Sequence, residues 1–113
     1  MHLILDLNEK VVTDRDATVF AEVDGNSMIN ASFNNGDILI VDRGKEYKHG
    51  KIYLALIDGD LVCKRLHIKE EKNGKRTIWL KAENEDYAPI RISPDNEFII
   101  FGAVTWVLKD MWK

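Results

Sequence analysis

The dipeptide Asp58-Gly59 stands between two runs dense in Val, Ile and Leu, at residues 51–57 and 61–68. Both residues tolerate positive φ, so the pair predicts a tight hairpin whose backbone twist matches that of its strands. Similar punctuation recurs at Asn34-Asn35-Gly36-Asp37, Asp42-Arg43-Gly44, Asn73-Gly74 and Ser93-Pro94-Asp95. The segments between are rich in β-branched and aromatic residues, which predicts strands over 18–23, 37–41, 51–57, 61–68, 77–82 and 97–107. Asn73-Gly74 closes a second expected hairpin across the charged tip Lys69-Glu70-Glu71-Lys72. One short helical turn is expected over 27–33. The fold class is mainly β, a small antiparallel sheet domain.

A chain of 113 residues supports one such domain and not two. Residues 15–113 are assigned to it. Residues 1–14 are set apart as an N-terminal arm or an edge strand, because Leu3, Ile4, Leu5 and Leu7 are apolar but no turn signal or partner run lies nearby.

Charge and hydropathy narrow the function classes. Sixteen basic against nineteen acidic side chains leave a net charge of −3, which gives no drive toward tight binding of a phosphate backbone. No apolar run approaches the roughly 20 residues of a membrane-spanning helix, and no basic-then-apolar leader is visible. The single cysteine, Cys63, forms no internal disulfide and fits a reducing, cytoplasmic setting.

Two positions carry candidate chemistry. Ser27, in Gly25-Asn26-Ser27-Met28, lies at an expected strand-to-helix junction, where a hydroxyl faces a cleft beside outward-pointing backbone N–H groups. An ordinary helix N-cap explains the same residues. Lys64 is more unusual. Strand alternation puts Val62, Lys64, Leu66 and Ile68 on one face and Leu61, Cys63, Arg65 and His67 on the other. A lysine in an otherwise aliphatic row either snorkels to an edge or loses water. Loss of water disfavours the ammonium and lowers its pKa, and the neutral amine that results is a competent general base. Such an amine takes the proton of Ser27 as its oxygen attacks a carbonyl, which is a Ser–Lys dyad. Spacing alone leaves both alternatives open at each residue.

Other arrangements fit less well. His2, His49 and His67 lack ligand spacing and one cysteine cannot complete a zinc site, so neither metal nor cofactor is expected. Neither a Gly-x-Ser-x-Gly elbow nor a phosphate-cradling loop occurs. Cys63 reads as a packed thiol, and Asp37, Asp42, Asp58 and Asp60 as turn and strand-end carboxylates. The last strand is apolar on both faces, Phe98, Ile100, Gly102, Val104 and Trp106 on one and Ile99, Phe101, Ala103, Thr105 and Val107 on the other. That pattern fits either a central strand or a subunit contact.

Five linked motifs carry a resemblance. They are Val23-Asp24-Gly25-Asn26-Ser27-Met28-Ile29, Asn35-Gly36-Asp37-Ile38-Leu39-Ile40-Val41-Asp42, and His49-Gly50-Lys51-Ile52 leading into Asp58-Gly59-Asp60-Leu61-Val62-Cys63-Lys64-Arg65-Leu66. Glu83-Asn84-Glu85-Asp86-Tyr87-Ala88-Pro89-Ile90 and Phe101-Gly102-Ala103-Val104 follow. In order and spacing these resemble the LexA-like self-cleaving serine peptidases, over nearly the whole chain from about Asp6. Asp6-Leu7-Asn8 and the ending Val107-Leu108-Lys109-Asp110-Met111-Trp112 are similar to the UmuD-like branch rather than to the repressors.

The resemblance implies that Ser27 is the nucleophile, that Lys64 is the general base and that the backbone N–H groups of Asn26 and Ser27 face the oxyanion. It implies a homodimer joined through the C-terminal region, serving an error-prone Y-family translesion DNA polymerase in SOS mutagenesis. Its reaction is self-cleavage of an N-terminal arm, stimulated by a recombinase filament on single-stranded DNA. The C-terminal domain of a LexA or phage-type repressor shares fold and dyad and is the alternative, and a non-catalytic interaction module is a second. The family's scissile bond is Ala-Gly or Cys-Gly, whereas none of the seven glycines here follows Ala or Cys. A processed or arm-lacking form is therefore expected, with cleavage in trans as its remaining reaction.

Overall fold

The computed structural model describes residues 1–112. Seven strands run in the order β1 (Thr18–Glu22), β2 (Ile38–Asp42), β3 (Ile52–Ile57), β4 (Asp60–Glu70), β5 (Arg76–Lys81), β6 (Ile90–Arg91) and β7 (Phe98–Leu108). They form one sheet in the spatial order β1-β2-β7-β3-β4-β5-β6, with every neighbouring pair antiparallel. Six of these are the strands expected from turn spacing. The seventh, β6, pairs only Ile90 with Leu80 and Arg91 with Trp79, too short a stretch to stand out as a run.

The hairpin at Asp58-Gly59 forms as the residues dictate. Asp58 has φ 49° and Gly59 φ 87°, and Ile57 faces Asp60 across the turn. The Asp58 carboxylate also accepts the Asn96 side-chain amide at 2.7 Å and the Glu97 N–H at 2.9 Å, which fixes the entry of β7 beside β3. Around Asn73-Gly74, β4 returns as β5 with Glu70 facing Arg76.

Two apolar clusters hold the sheet. One gathers Tyr53, Ala55, Ile57, Leu66, Leu80 and Ala103, and the other Met28, Phe33, Leu39, Val41 and Leu54. Strand β3 sends Tyr53, Ala55 and Ile57 to the first and Leu54 to the second, so the clusters lie on opposite faces of the same strand. Strand β4 alternates as the sequence predicts, with Val62, Leu66 and Ile68 against the first and Cys63 against the second.

The alternation expected for β7 is corrected by the structure. Ala103 packs with Phe98 and Ile100, and Val104 with Phe101 and Val107, which mixes the two faces assigned from the sequence. Register shifts against β3, where Leu54 faces Gly102 but Ala55 faces Ile100, and against β2, where Ile40 faces Trp106 but Val41 faces Val104, are the cause. Each bulge inserts one residue and exchanges the faces beyond it. The strand is central, between β2 and β3, which accounts for its apolar character on both sides.

The first residues, set apart as an arm or an edge strand, take no part in the sheet. Residues 1–10 are exposed and pair with no strand, but Leu7–Val11 forms one helical turn, α1. The Asp6 carboxylate caps it through the Asn8 N–H at 3.0 Å, and Val11 is buried. Asp6 with Glu9 three residues on is the sequence signal for such a start. Among the described residues no helix is long and apolar enough to cross a membrane.

Gly102 marks the tightest approach of β7 to β2. A Cβ there meets Val41 Cγ1 at 2.7 Å and the Asp42 carbonyl oxygen at 3.1 Å. Backbone cannot swing aside as a flexible side chain does, so Gly102→Ala is expected to destabilise the fold by about 1–3 kcal/mol. Urea unfolding followed by circular dichroism measures it, and an unchanged midpoint contradicts the close packing.

Candidate active site

The chain leaves β1 at Glu22 and re-enters the sheet at Ile38, and the excursion between carries Ser27. Its neck is closed by hydrogen bonds from the Val23 N–H to the Asp37 carbonyl at 2.8 Å and from the Gly36 N–H to the Val23 carbonyl at 2.9 Å. Within the loop, the Gly25 N–H donates to Asn35 Oδ1 at 3.0 Å, and Gly25 sits at φ 92°, where a side chain is strained. Met28 and Phe33 anchor the loop in the second cluster. The buried carboxylate of Asp37 accepts the Asn34 N–H at 2.9 Å and pairs with Lys109 beyond the end of β7.

Ser27 is half-buried and immediately precedes a single 3-10 turn, Ile29–Ala31. It is not the cap of that turn: Met28 holds the cap position, and no side chain bonds there. Among the described residues the backbone N–H groups of Asn26 and Ser27 find no acceptor. Unspent donors next to a hydroxyl are what a developing oxyanion requires.

Lys64 faces Tyr53 across the β3–β4 ladder and is 7% exposed. Its amine has no hydrogen bond among the described residues, and its nearest described partner is the ring of Tyr87, 5.2 Å away at the centroid. Burial lowers the pKa of this amine below the ordinary lysine value, against a smaller opposing pull from Cys63. The Cys63 thiol is pushed up to about 12 by its own burial, with the charge of Lys64 acting the other way. It is therefore a neutral, packed thiol and no nucleophile at neutral pH.

Ser27 and Lys64 line one cleft of about 320 Å³ with Met28, Leu54 and Cys63, and with Glu22 and Asp24 on the β1 side. In sheet order β1 and β4 are separated by three strands. The excursion after β1, anchored by Met28 and Phe33 on the second cluster, lines this cleft together with residues 61–64 of β4. No hydrogen bond joins the Ser27 hydroxyl to the Lys64 amine. The arrangement offers a hydroxyl, free N–H donors and a poorly hydrated amine around one space.

Sequence reasoning missed the segment after β5 as part of the site. The Tyr87 hydroxyl donates to Asn26 Oδ1 at 2.8 Å, and the Asn84 side-chain amide donates to the Asn26 carbonyl at 2.9 Å. Glu83 pairs with Arg65, the residue after Lys64, while its carbonyl accepts the Asn30 N–H at 2.8 Å. Polar residues in a loop give no spacing signal from which such contacts follow. Elsewhere, His49 and His67, far apart in the chain, meet edge to face with ring centroids 5.0 Å apart. No third ligand type joins them: the described residues contain no cluster of three metal-binding side chains.

Comparison with known proteins places this geometry in a family. Residues 2–105 match the Peptidase S24-like family. MucA of Salmonella typhimurium is 36% identical over 102 residues, covering 89% of this chain and 66% of MucA. ImpA of Escherichia coli is 36% identical over 104 residues, covering 92% of this chain and 67% of ImpA. The LexA repressor of Magnetococcus marinus is 37% identical over 92 residues, 81% of this chain but 38% of the repressor. The chain thus spans about two thirds of the length of its MucA and ImpA relatives. With a serine and a poorly hydrated lysine on one cleft and this match over most of its length, the chain belongs to the Peptidase S24-like family and is of UmuD-like, LexA type.

Proposed function

We propose that this chain is an SOS-mutagenesis accessory protein with a Ser27–Lys64 peptidase site, acting in the cytoplasm as a homodimer that supports a Y-family error-prone polymerase. In this reading neutral Lys64 takes the proton of the Ser27 hydroxyl as its oxygen attacks a peptide carbonyl. The Asn26 and Ser27 N–H groups receive the negative charge that develops on the carbonyl oxygen. The protonated amine then delivers its proton to the leaving nitrogen, and water hydrolyses the acyl-enzyme by the same route. The observation that carries the reading is a lysine buried without an acidic partner, on the same cleft as a serine flanked by free N–H donors. Self-cleavage and cleavage in trans use the same site, and a recombinase filament on single-stranded DNA is the expected stimulus.

Support for the accessory role over a repressor domain comes from coverage. The MucA and ImpA matches take in more of this chain than the LexA match and a far larger share of the relative. The repressor reading keeps its own support in 37% identity to a LexA repressor. Gene context separates the two, a polymerase gene downstream favouring the first and an in-frame helix-turn-helix upstream the second. For dimerisation, Ile99, Trp106 and Leu108 on β7 and Met111 and Trp112 after it remain exposed. Apolar surface of that kind marks subunit contacts.

Mixing the chain with an arm-bearing relative whose own serine is replaced by alanine tests the chemistry. Cleavage is expected, with Ser27→Ala and Lys64→Ala each lowering its rate by roughly a thousandfold or more and the double variant no lower than either single one. Unreduced cleavage in either variant removes the dyad, whereas no cleavage by the wild-type chain even at alkaline pH favours the interaction-module reading.

The amine also sets a pH dependence. Below the pKa of Lys64 in the folded protein, each pH unit is expected to raise the cleavage rate about tenfold, up to a plateau reached below the ordinary lysine value. Stability follows from the same shift. The unfolded chain binds a proton more readily at this lysine, so the folded state is penalised at low pH. The penalty is relieved as pH rises from the depressed value toward 10.5. Lys64→Met is therefore expected to stabilise the protein by about 1 kcal/mol at pH 7 while abolishing cleavage. That gain shrinks toward pH 10.5. Denaturant midpoints at both pH values check it, and a variant less stable at pH 7 contradicts the burial cost.

A further inference from the structure

The segment that follows β5 touches Lys64 and Asn26, the residue before Ser27, and nothing in the peptidase chemistry above uses it. Its Tyr87 ring covers the Lys64 amine at 5.2 Å while its hydroxyl holds Asn26, the residue before Ser27. Asn84 grips the same residue through its backbone carbonyl, and Asn84 and Tyr87 are themselves joined, the Tyr87 N–H donating to the Asn84 carbonyl at 3.1 Å. The Asp86 N–H donates to Asn84 Oδ1 at 3.0 Å, which orients the amide that reaches Asn26. One end of the segment is pinned by the Arg65–Glu83 ion pair and by the Glu83 N–H, which donates to Met28 Sδ at 3.3 Å. The lysine strand and the serine loop come from distant parts of the chain, and this segment is bonded to both.

We propose that Tyr87 is a positioning residue for the peptidase site, its ring excluding water from the Lys64 amine and its hydroxyl holding the side chain of Asn26, the residue before Ser27. The inference rests on the Ser27–Lys64 reading. Tyr87 is 42% exposed, so the ring is a lid with one face toward the amine rather than a core side chain. Two opposed effects meet at the ring. Its face attracts an ammonium, but weakly at this distance and exposure. Its bulk keeps water from the amine, which favours the neutral form. Water exclusion prevails here, because burial is already the dominant influence on Lys64. The other titratable groups around the amine are Cys63 beside it on β4 and Tyr53 opposite on β3. Glu22 and Asp24 lie across the cleft, and Tyr87 itself lies above.

Because the ring is half outside, replacing it leaves both apolar clusters intact, and Y87L and Y87F are expected to fold. Two readouts separate positioning from bulk structure. The first is the titration of the Lys64 amine itself, by carbon NMR of protein labelled at lysine Cε, with the signal assigned by its loss in K64R. The second is the pH profile of cleavage of the arm-bearing relative. Y87L is expected to raise the Lys64 midpoint by about one unit, so that it cleaves about tenfold more slowly than Y87F near neutrality and equally fast at alkaline pH. Y87F, which keeps the lid and loses the hydroxyl, is expected to leave the midpoint unchanged. It slows cleavage several-fold at every pH, through the loosened Asn26. A wild-type midpoint in Y87L overturns the proposal, as does a loss in Y87L that is equal at every pH. If the wild-type chain cleaves nothing while Y87L still shifts the Lys64 midpoint, the lid stands and the peptidase reading falls.

Discussion

An ammonium group is among the least favourable things to remove from water, and this fold does so at Lys64 without giving it a carboxylate. Every element around the cleft bears on that fact. Strand β3 sets Tyr53 opposite, and the Tyr53 hydroxyl, bonded to the Glu46 carbonyl and the Lys48 N–H at 2.8 Å each, offers the amine no hydrogen bond. Cys63 next door is neutral. Glu83, the acid that ties the neighbouring segment to β4, is occupied by Arg65 instead. A carboxylate within reach of the amine would lower the cost of burial and would also hold the proton on it. Leaving that partner out favours the neutral base at the expense of stability, and this sheet has enough apolar packing to carry the difference.

That packing depends on β7. A central strand with a cluster on each face ties the β1–β2 pair, which bears the serine loop, to the β3–β4–β5 part, which bears the lysine. Its two bulges increase the local twist. They fall where β7 meets β2 and where it meets β3, the two joints between the serine-loop side and the lysine side of the sheet. Gly102 stands between the joints, and the absence of a side chain there lets the β2 backbone close in.

Much of this was legible in the sequence, for local reasons. Asp58-Gly59 and Asn73-Gly74 specify their turns through φ alone, so both hairpins follow from four residues. The two-residue period along 62–68 placed Lys64 on an aliphatic face, and the face is the one observed. What failed was non-local or unusually short. The bulges in β7 answer to its neighbours rather than to its own residues, so strict alternation assigned Ala103 and Val104 to the wrong sides. Strand β6 exists only because Leu80 and Trp79 offer it an edge. In the site, Ser27 was visible because its loop has a glycine and a strand before it, whereas Tyr87 acts through contacts to Asn26 and Lys64 that no period encodes.

Ser27 and Lys64 line one cleft with no hydrogen bond between them, and the proposed Ser–Lys reading must account for how they meet. Proton transfer needs the two atoms within about 3 Å, so the encounter must be supplied by something that binds more tightly when they are close. Residues 21–28 and 61–64 are both strand-adjacent backbone, and an extended peptide laid between them contacts both at once. The Ser27 N–H, which finds no acceptor among the described residues, belongs to a residue of the same cleft. In the proposed reading, binding energy from the length of such a peptide is available to bring the hydroxyl and the amine together. Under that reading a segment presented at high effective concentration is favoured over any passing peptide.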